Sequence, residues 1–312
     1  MKEQVTYKVE TNQPKVVVIG SINMDMVTRA TRFPKKGETI SGVSFDQLPG
    51  GKGANQAVAC ARLGAAVSMV GAIGHDPTGK VLLKQLQDEK VNTEWIQVID
   101  NETTGMAQIT VAEEDNQIII VPGANFAITK SQIDAAKAVI QAADLIILQL
   151  EIPLEIVEYT AEVAAGFGVK VILNPAPAQP LSDTLLSNVD YLTPNETELM
   201  YLTKQTSVKE GMDSLLKEGV QGVIVTLGSK GVQYIEKEDA ISRAVKGRLV
   251  EVVDTTGAGD TFNGALAYKL AGGANVADAI EFANVAAGLS IMRFGAQTGM
   301  PTFAEVQEVM NT

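Results

Sequence analysis

The sequence predicts an α/β fold, a three-layer sandwich in which helices cover both faces of a mostly parallel central sheet and a small β-sheet is inserted. Three observations predict it. Apolar runs at 16–20, 67–73, 145–150, 171–173 and 223–227 are too continuous for one-sided strands, so both faces of each should be buried. Segments 131–143, 154–166, 208–217, 258–270 and 276–292 read as helices by their apolar spacing. Two stretches, 38–47 and 105–121, break this βα rhythm with strand-turn-strand patterns, the second around Glu113-Glu114-Asp115-Asn116, and read as a small antiparallel subdomain.

Taken in order, residues 1–14 are polar and read as a loose extension ahead of the first strand. No apolar leader core and no run of about 18 apolar residues follows, so the cytoplasm is the expected compartment. Residues 15–312 read as a single α/β domain, with the inserted strands at about 26–49 and 100–122 forming a discontinuous lid. The chain is 46% hydrophobic and 20% charged, as in ordinary globular proteins. With 25 Lys and Arg against 37 Asp and Glu, its net charge of −12 argues against nucleic acid or an anionic membrane as partner. An anionic ligand would need a locally positive site. The single cysteine, Cys60, leaves no partner for an internal disulfide.

Ligands of an open parallel sheet bind beyond the carboxyl ends of its strands, and here those ends are polar. The first apolar run leads into Gly20-Ser21-Ile22-Asn23-Met24-Asp25, the third into Glu151, the fourth into Asn174, and Tyr191-Leu192-Thr193 into Pro194-Asn195-Glu196-Thr197-Glu198. Each could serve only as a turn residue or helix cap. Residues 249–253 read as a further strand, joined through Asp254-Thr255-Thr256-Gly257-Ala258-Gly259-Asp260 to a helix. A glycine-rich turn at a helix N-terminus turns backbone N–H groups toward an anion, and the helix dipole adds to the effect. Asp260 falls in the first turn, where it could act as a general base or merely favour the dipole. The only histidine, His75, sits in a turn-like Gly74-His75-Asp76-Pro77, so a carboxylate is the available base. A second cluster, Gly50-Gly51-Lys52-Gly53-Ala54-Asn55-Gln56, opens another helix and matches neither a Walker A loop nor a dinucleotide fingerprint. Its glycines admit either a ligand against the backbone or a close helix-to-sheet contact.

With both clusters in hand, the sequence resembles the ribokinase family, within the larger pfkB carbohydrate kinase group. Gly50 to Asn55 resembles the first family signature, 254–260 with its helix the second, and Asn195-Glu196-Thr197-Glu198 the N-x-x-E motif. Gly20 to Asp25, Gly123-Ala124-Asn125 and Asn174-Pro175-Ala176-Pro177 carry the likeness further. The resemblance implies a ribokinase-like sandwich with a β-sheet lid and an ATP-dependent kinase that phosphorylates the O5 hydroxyl of D-ribose. It implies that Asn23, Asp25, Gly51, Lys52, Asn55 and Glu151 hold the sugar, with Asp260 as base. Gly257, Ala258 and Gly259 would form the anion hole. Asn195 and Glu198 would organise Mg²⁺ and the phosphates, and Thr226, Gly228, Ser229, Gly259 and Asn284 would line the nucleotide.

The resemblance further implies a K⁺ activator held at Asp254, Thr256, Ser290, Arg293, Gly295 and Gly299. At the last position some family members place a serine, where this chain has Gly299. Family members also commonly pair through their lids, and the run Ile118-Ile119-Ile120-Val121 does not alternate as a solvated hairpin should, so a homodimer is expected. A sibling kinase acting on deoxyribose, fructose or a nucleoside is the alternative. A non-catalytic sugar sensor is a further one, against which the retained Asp260 and glycine turn argue.

Overall fold

The computed structural model describes residues 13–113, 115–239 and 241–311. The expected extension over 1–14 lies outside the described residues except for Gln13 and Pro14. The Gln13 amide donates to Gly64 O, and Pro14 O accepts from Ala66 N.

The chain enters as β1 (Lys15–Ile19) and passes at once into a second sheet as β2 (Asn23–Arg29) and β3 (Ser44–Gly50). It returns through α1 (Lys52–Leu63), β4 (Ala66–Gly74), α2 (Pro77–Asp88) and β5 (Ile96–Ile99), then leaves again as β6 (Gly105–Ala112) and β7 (Asp115–Val121). The central body continues with α3 (Lys130–Ala135), α4 (Lys137–Gln141), β8 (Leu145–Leu148), α5 (Leu154–Phe167), β9 (Lys170–Leu173) and α6 (Asp183–Ser187). Next come β10 (Tyr191–Leu192), α7 (Glu196–Thr203), α8 (Val208–Lys217), β11 (Gly222–Thr226), β12 (Gly231–Glu236) and β13 (Arg243–Lys246). Four helices end it: α9 (Ala258–Ala271), α10 (Val276–Ser290), α11 (Ala296–Gly299) and α12 (Phe303–Met310).

Among the described residues the large sheet runs β13-β12-β11-β10-β9-β8-β1-β4-β5. Its strands from β11 to β5 are parallel, and β12 and β13 are antiparallel at one edge. Alternation along β1 explains the continuous apolar runs. Val16 and Val18 pack with α1, α9 and α10 on one face, while Val17 and Ile19 pack with α3, α4 and α5 on the other. All four residues of β8 are fully buried. Each such side chain contributes about 1.5–3 kcal/mol relative to exposure, and none is free to carry a polar substituent. Polar groups are therefore left to the strand ends.

The small sheet, in the order β3-β2-β6-β7, rises from that carboxyl edge. Its outer pairs β2–β3 and β6–β7 are antiparallel as expected, while the central β2 and β6 run parallel. Both central strands leave the main body at the same edge, which makes them run alongside one another. Within 38–47 only β3 forms, pairing with β2 and not with a strand of its own stretch. The expected turn after Ala112 includes Glu114, which is outside the described residues.

Two further expectations are corrected. The predicted strand at 249–253 is absent: the chain leaves the sheet after β13, and Leu249 is 95% exposed. The apolar residues there line a cleft. The predicted helix at 131–143 divides into α3 and α4 at Ala136, whose ψ of 1° opens the helical path.

Candidate active site

The ends of β1, β2, β8 and α1 meet in a polar pocket. Glu151 Oε2 accepts from the Ser21 hydroxyl at 2.6 Å, from Lys52 N at 3.2 Å and from Asn23 Nδ2 at 3.5 Å. Asn125 braces the same corner: it takes Ile22 N–H at 2.9 Å and donates to Asn23 Oδ1 at 2.7 Å. The Asp25 carboxylate lies against Gly50, whose absent side chain makes room for it: a Cβ there would lie 2.3 Å from the carboxylate. Burial pushes the Asp25 carboxyl up to about 7, reinforced by the charges of Glu151 and Asp260 and opposed by Lys52. Burial alone would lower the Lys52 ammonium, but Asp260, Glu151, Glu198 and Asp25 together raise it. The result is a cationic point amid carboxylates.

The glycine cluster that opens α1 meets the packing requirement directly. Gly51 has a φ of +88°, and a Cβ on it would lie 2.7 Å from Asn23 N. A Cβ on Gly53 would meet Gly20 C and Ser21 N, both at 2.6 Å. Helix α1 thus begins against the end of β1, which fixes Lys52 and Asn55 relative to Asn23.

Helix α9 begins beside α1. Their axes approach closely at Gly264, where a Cβ would sit 2.5 Å from Ala59 Cβ. This contact lets Asp260, on the first turn of α9, reach across to the other helix. Its Oδ2 accepts from Asn55 Nδ2 at 2.9 Å and its Oδ1 from Gln56 Nε2 at 3.0 Å. Hydrogen bonds to a charged group each contribute about 1.5–3 kcal/mol. Asp260 does more than favour the helix dipole, since its carboxylate is held at both oxygens at the pocket edge.

Gly257 caps α9 with a φ of +77°, and a Cβ on it would lie 2.8 Å from Ala296 Cβ. The N–H groups of Gly259 and Asp260 fall within the first turn, where no helical carbonyl precedes them. The Ala258 N–H is less free than expected, reaching back to Thr255 O over 3.3 Å. Lys52, Asn195, Glu198, Thr226, Gly257, Ala258, Gly259 and Asp260 line one cavity of about 210 Å³ here. It adjoins a second of about 510 Å³, whose walls include Thr226, Gly228, Ser229, Leu249, Val252, Gly259 and Asn284. The Asn284 amide donates to Lys246 O at 2.7 Å. Asn195 and Glu198 form a reciprocal capping box at the start of α7. Burial raises the Glu198 carboxyl, while its bond from Asn195 N and the Lys52 charge lower it.

The remaining predicted positions gather behind Gly257. Asp254 Oδ1 accepts from Thr256 N and Oγ1, and its Oδ2 from Gly295 N at 2.9 Å. These bonds hold the Asp254 carboxyl below its ordinary value against the opposing effect of burial. The carbonyls of Ser290 and Arg293 both face Gly299: a Cβ there would lie 2.4 Å from Ser290 O and 3.5 Å from Arg293 O. Glycine is thus required by the backbone at 290. Among the described residues no three His, Cys, Asp or Glu side chains cluster as a metal site, so the donors available here are mostly carbonyls.

Several site residues carried no role in the sequence reading. Ser21, Gln56, Asn125, Gln149 and Gln297 all bond to predicted residues or to one another. Ser21 stood inside the quoted strand end Gly20 to Asp25, Gln56 inside the quoted glycine motif and Asn125 inside a quoted family feature, which were the available signals. His75 is remote, paired with Asp100 at 2.8 Å on the exposed surface.

The pfkB family carbohydrate kinase profile matches residues 13–303. The chain is 43% identical to a ribokinase of Bacillus subtilis over 95% of its own length and 99% of that protein's. It is 45% identical to a ribokinase of Lactococcus lactis, covering 94% and 96%. Among solved structures, a ribokinase of Arabidopsis thaliana complexed with ribose and ATP superimposes with a TM-score of 0.92 at 35% identity. The match covers 96% of this chain and 99% of that one.

Proposed function

The chain belongs to the pfkB family of carbohydrate kinases, and from that premise we propose that it phosphorylates the O5 hydroxyl of D-ribose with ATP, releasing ribose 5-phosphate and ADP. The observation that carries this reading is the double hold on Asp260, between the polar pocket and the two adjoining cavities. Asn23, Asp25, Lys52, Asn55 and Glu151 would pair the sugar hydroxyls, with Gly51 shaping the backbone around them. Such pairing discriminates strongly, because a sugar lacking a hydroxyl leaves a buried partner unmet.

Asp260 accepts the proton as O5 attacks the γ-phosphorus. The bond to the β–γ bridging oxygen breaks, and its electron pair leaves with ADP. The N–H groups of Gly257, Gly259 and Asp260 hold the developing charge, with Ala258 joining them once its long bond to Thr255 opens. ATP would lie along Thr226, Gly228, Ser229, Gly259 and Asn284, its base end against the apolar wall at 249–252.

Mg²⁺ would neutralise phosphate charge, with Glu198 and Asn195 holding its water shell. Glu198 commits Oε2 to the capping box, and Oε1 makes none of the capping bonds. K⁺ would set the field of the loop behind the anion hole, held by carbonyls around Asp254, Thr256, Ser290, Arg293, Gly295 and Gly299. The donor set suits a weakly hydrated monovalent ion. The lid strands support pairing of two chains: β7 is an edge strand whose Ile118, Ile119, Ile120 and Val121 are 52, 68, 44 and 41% exposed in the single chain. An apolar run that does not alternate is expected to be buried on both faces, yet every residue of β7 is exposed in the single chain, so only a partner could cover it. Among the described residues no helix is long and apolar enough to cross a membrane.

A panel of D-ribose, 2-deoxyribose, fructose and nucleosides with ATP, scored by phosphorylated product, tests the assignment. D-ribose should give the highest kcat/KM. A higher value for another acceptor would replace ribose while leaving the kinase in place.

A further inference from the structure

Asp260 is the common end of two buried chains of side-chain amides. On one side Gln297 Nε2 donates to Asn55 Oδ1 at 3.1 Å, and Asn55 Nδ2 donates to Asp260 Oδ2 at 2.9 Å. On the other, Gln149 Nε2 donates to Gln56 Oε1 at 2.6 Å, and Gln56 Nε2 donates to Asp260 Oδ1 at 3.0 Å and to Asn174 Oδ1 at 3.2 Å. Gln56 and Gln149 are fully buried, and Gln297 and Asn55 are 4 and 5% exposed.

The polarity of these chains is dictated by chemistry. An ionised carboxylate only accepts, so the nearer amide must turn its nitrogen to Asp260 and its oxygen away. That oxygen then needs a donor, which Gln297 supplies for Asn55 and Gln149 for Gln56. The unmet end of each chain is displaced outward: Gln149 Oε1 and Gln297 Oε1 are buried with no hydrogen-bond partner among the described residues. A buried acceptor left unmet is costly, so its placement at the far ends keeps that cost away from the base.

We propose that Gln297 is a positioning residue for phosphoryl transfer: it fixes the Asn55 amide the right way round and so holds Asp260 in line with the acceptor hydroxyl. The inference rests on Asp260 being the base. Gln297 lines neither of the two cavities at the site; it lies on α11, whose backbone is anchored separately. Arg62 Nη1 donates to Gln297 O at 2.5 Å and to Met300 O at 3.0 Å, so a change of the 297 side chain leaves the turn attached.

Two variants of similar length separate orientation from packing. Gln297→Met removes the donor, and Gln297→Glu replaces it with an acceptor, which draws the Asn55 nitrogen away and presents oxygen to Asp260. Displacing a reacting group by about 1 Å costs up to roughly 100-fold. Gln297→Met should lower kcat by about 10-fold and Gln297→Glu by a further ~10-fold, with the KM for ATP within about twofold of the native value. A kcat within about twofold of native for both, or equal losses that track equal falls in Tm, would overturn the proposal. Asp260→Asn run alongside tells the two readings apart. If it keeps its turnover the base assignment fails; if it loses turnover while Gln297→Met keeps it, the positioning role alone fails. Should neither 297 variant fold, hydrogen exchange on the native protein decides: slow exchange of the Gln297 side-chain amide supports the bond to Asn55, and exchange at the free-amide rate contradicts it.

Discussion

The Ser21 hydroxyl donates to Glu151 Oε2 over 2.6 Å, tying the end of β1 to the residue three beyond β8. Glu151 has its other contacts, from Lys52 N and Asn23 Nδ2, at 3.2 and 3.5 Å, so the serine supplies the shortest bond that orients it. Ser21→Ala is expected to raise the sugar KM by about 10-fold and to leave kcat within about threefold, as follows from removing one bond to a charge. Steady-state kinetics with varied sugar checks this, and a fall in kcat alone would place Ser21 outside sugar binding.

Asp25 should make sugar binding dependent on pH. Its carboxyl is pushed up to about 7 by burial, with Glu151 and Asp260 adding to the effect and Lys52 opposing it. Between the ordinary value of 3.8 and about 7 the native protein keeps a proton that the unfolded chain has lost. The sugar-free protein therefore loses stability from this group as pH rises through that window. If sugar hydroxyls donate to its ionised form as proposed, binding below pH ~7 would expel the proton, and the sugar KM should be about 10-fold higher at pH 6 than on the plateau above pH ~8. Asp25→Asn should abolish the step, and an unchanged step in that variant would assign it to another group.

Much of this was legible in one dimension, for identifiable reasons. Val16 to Ile19 betrayed a two-sided strand because both its faces are buried, and Gly51, Gly53 and Gly257 marked helix starts where a side chain would collide with neighbouring atoms. The amides were not legible. Gln297 and Asn55 are 242 residues apart, Gln56 and Asp260 204, and no local pattern distinguishes a buried glutamine from a surface one. Residues 249–253 were misread for a related reason. Their apolar run, broken only by Glu251, describes a wall that could face either a sheet or a cleft, and only the path of the chain after Lys246 decides between them.

The loop behind the anion hole should respond to monovalent cations. Replacing K⁺ with Na⁺ or a bulky organic cation is expected to lower kcat, because the carbonyl dipoles beside Gly257 need a partly dehydrated ion to set the loop. Gly299→Ser should lower activity and not improve cation binding, since its Cβ would lie 2.4 Å from Ser290 O. Full activity in K⁺-free buffer would remove the cation from the account, and tighter K⁺ activation in Gly299→Ser would refute the steric argument.

The exposed edge of the lid should be a contact between two chains. Ile119 is 68% exposed on β7, and Ile119→Glu is expected to dissociate a homodimer while raising the sugar KM, since a lid paired in this way would also close the site. Light scattering on the native and variant chains, combined with sugar kinetics, checks the coupling. A native monomer at micromolar concentration, or dissociation with unchanged kinetics, would end the shared-lid idea.

The most direct test of the account is the turnover of Asp260→Asn. The substitution keeps the size of the side chain and gives up one of the two bonds from Asn55 and Gln56, and it would remove the group proposed to take the O5 proton. Sugar affinity should stay within several-fold while kcat falls by on the order of 10² to 10⁴, the usual loss for a positioned general base. A kcat within about 10-fold of the native enzyme, with affinity unchanged, would contradict the assignment of Asp260 as the base.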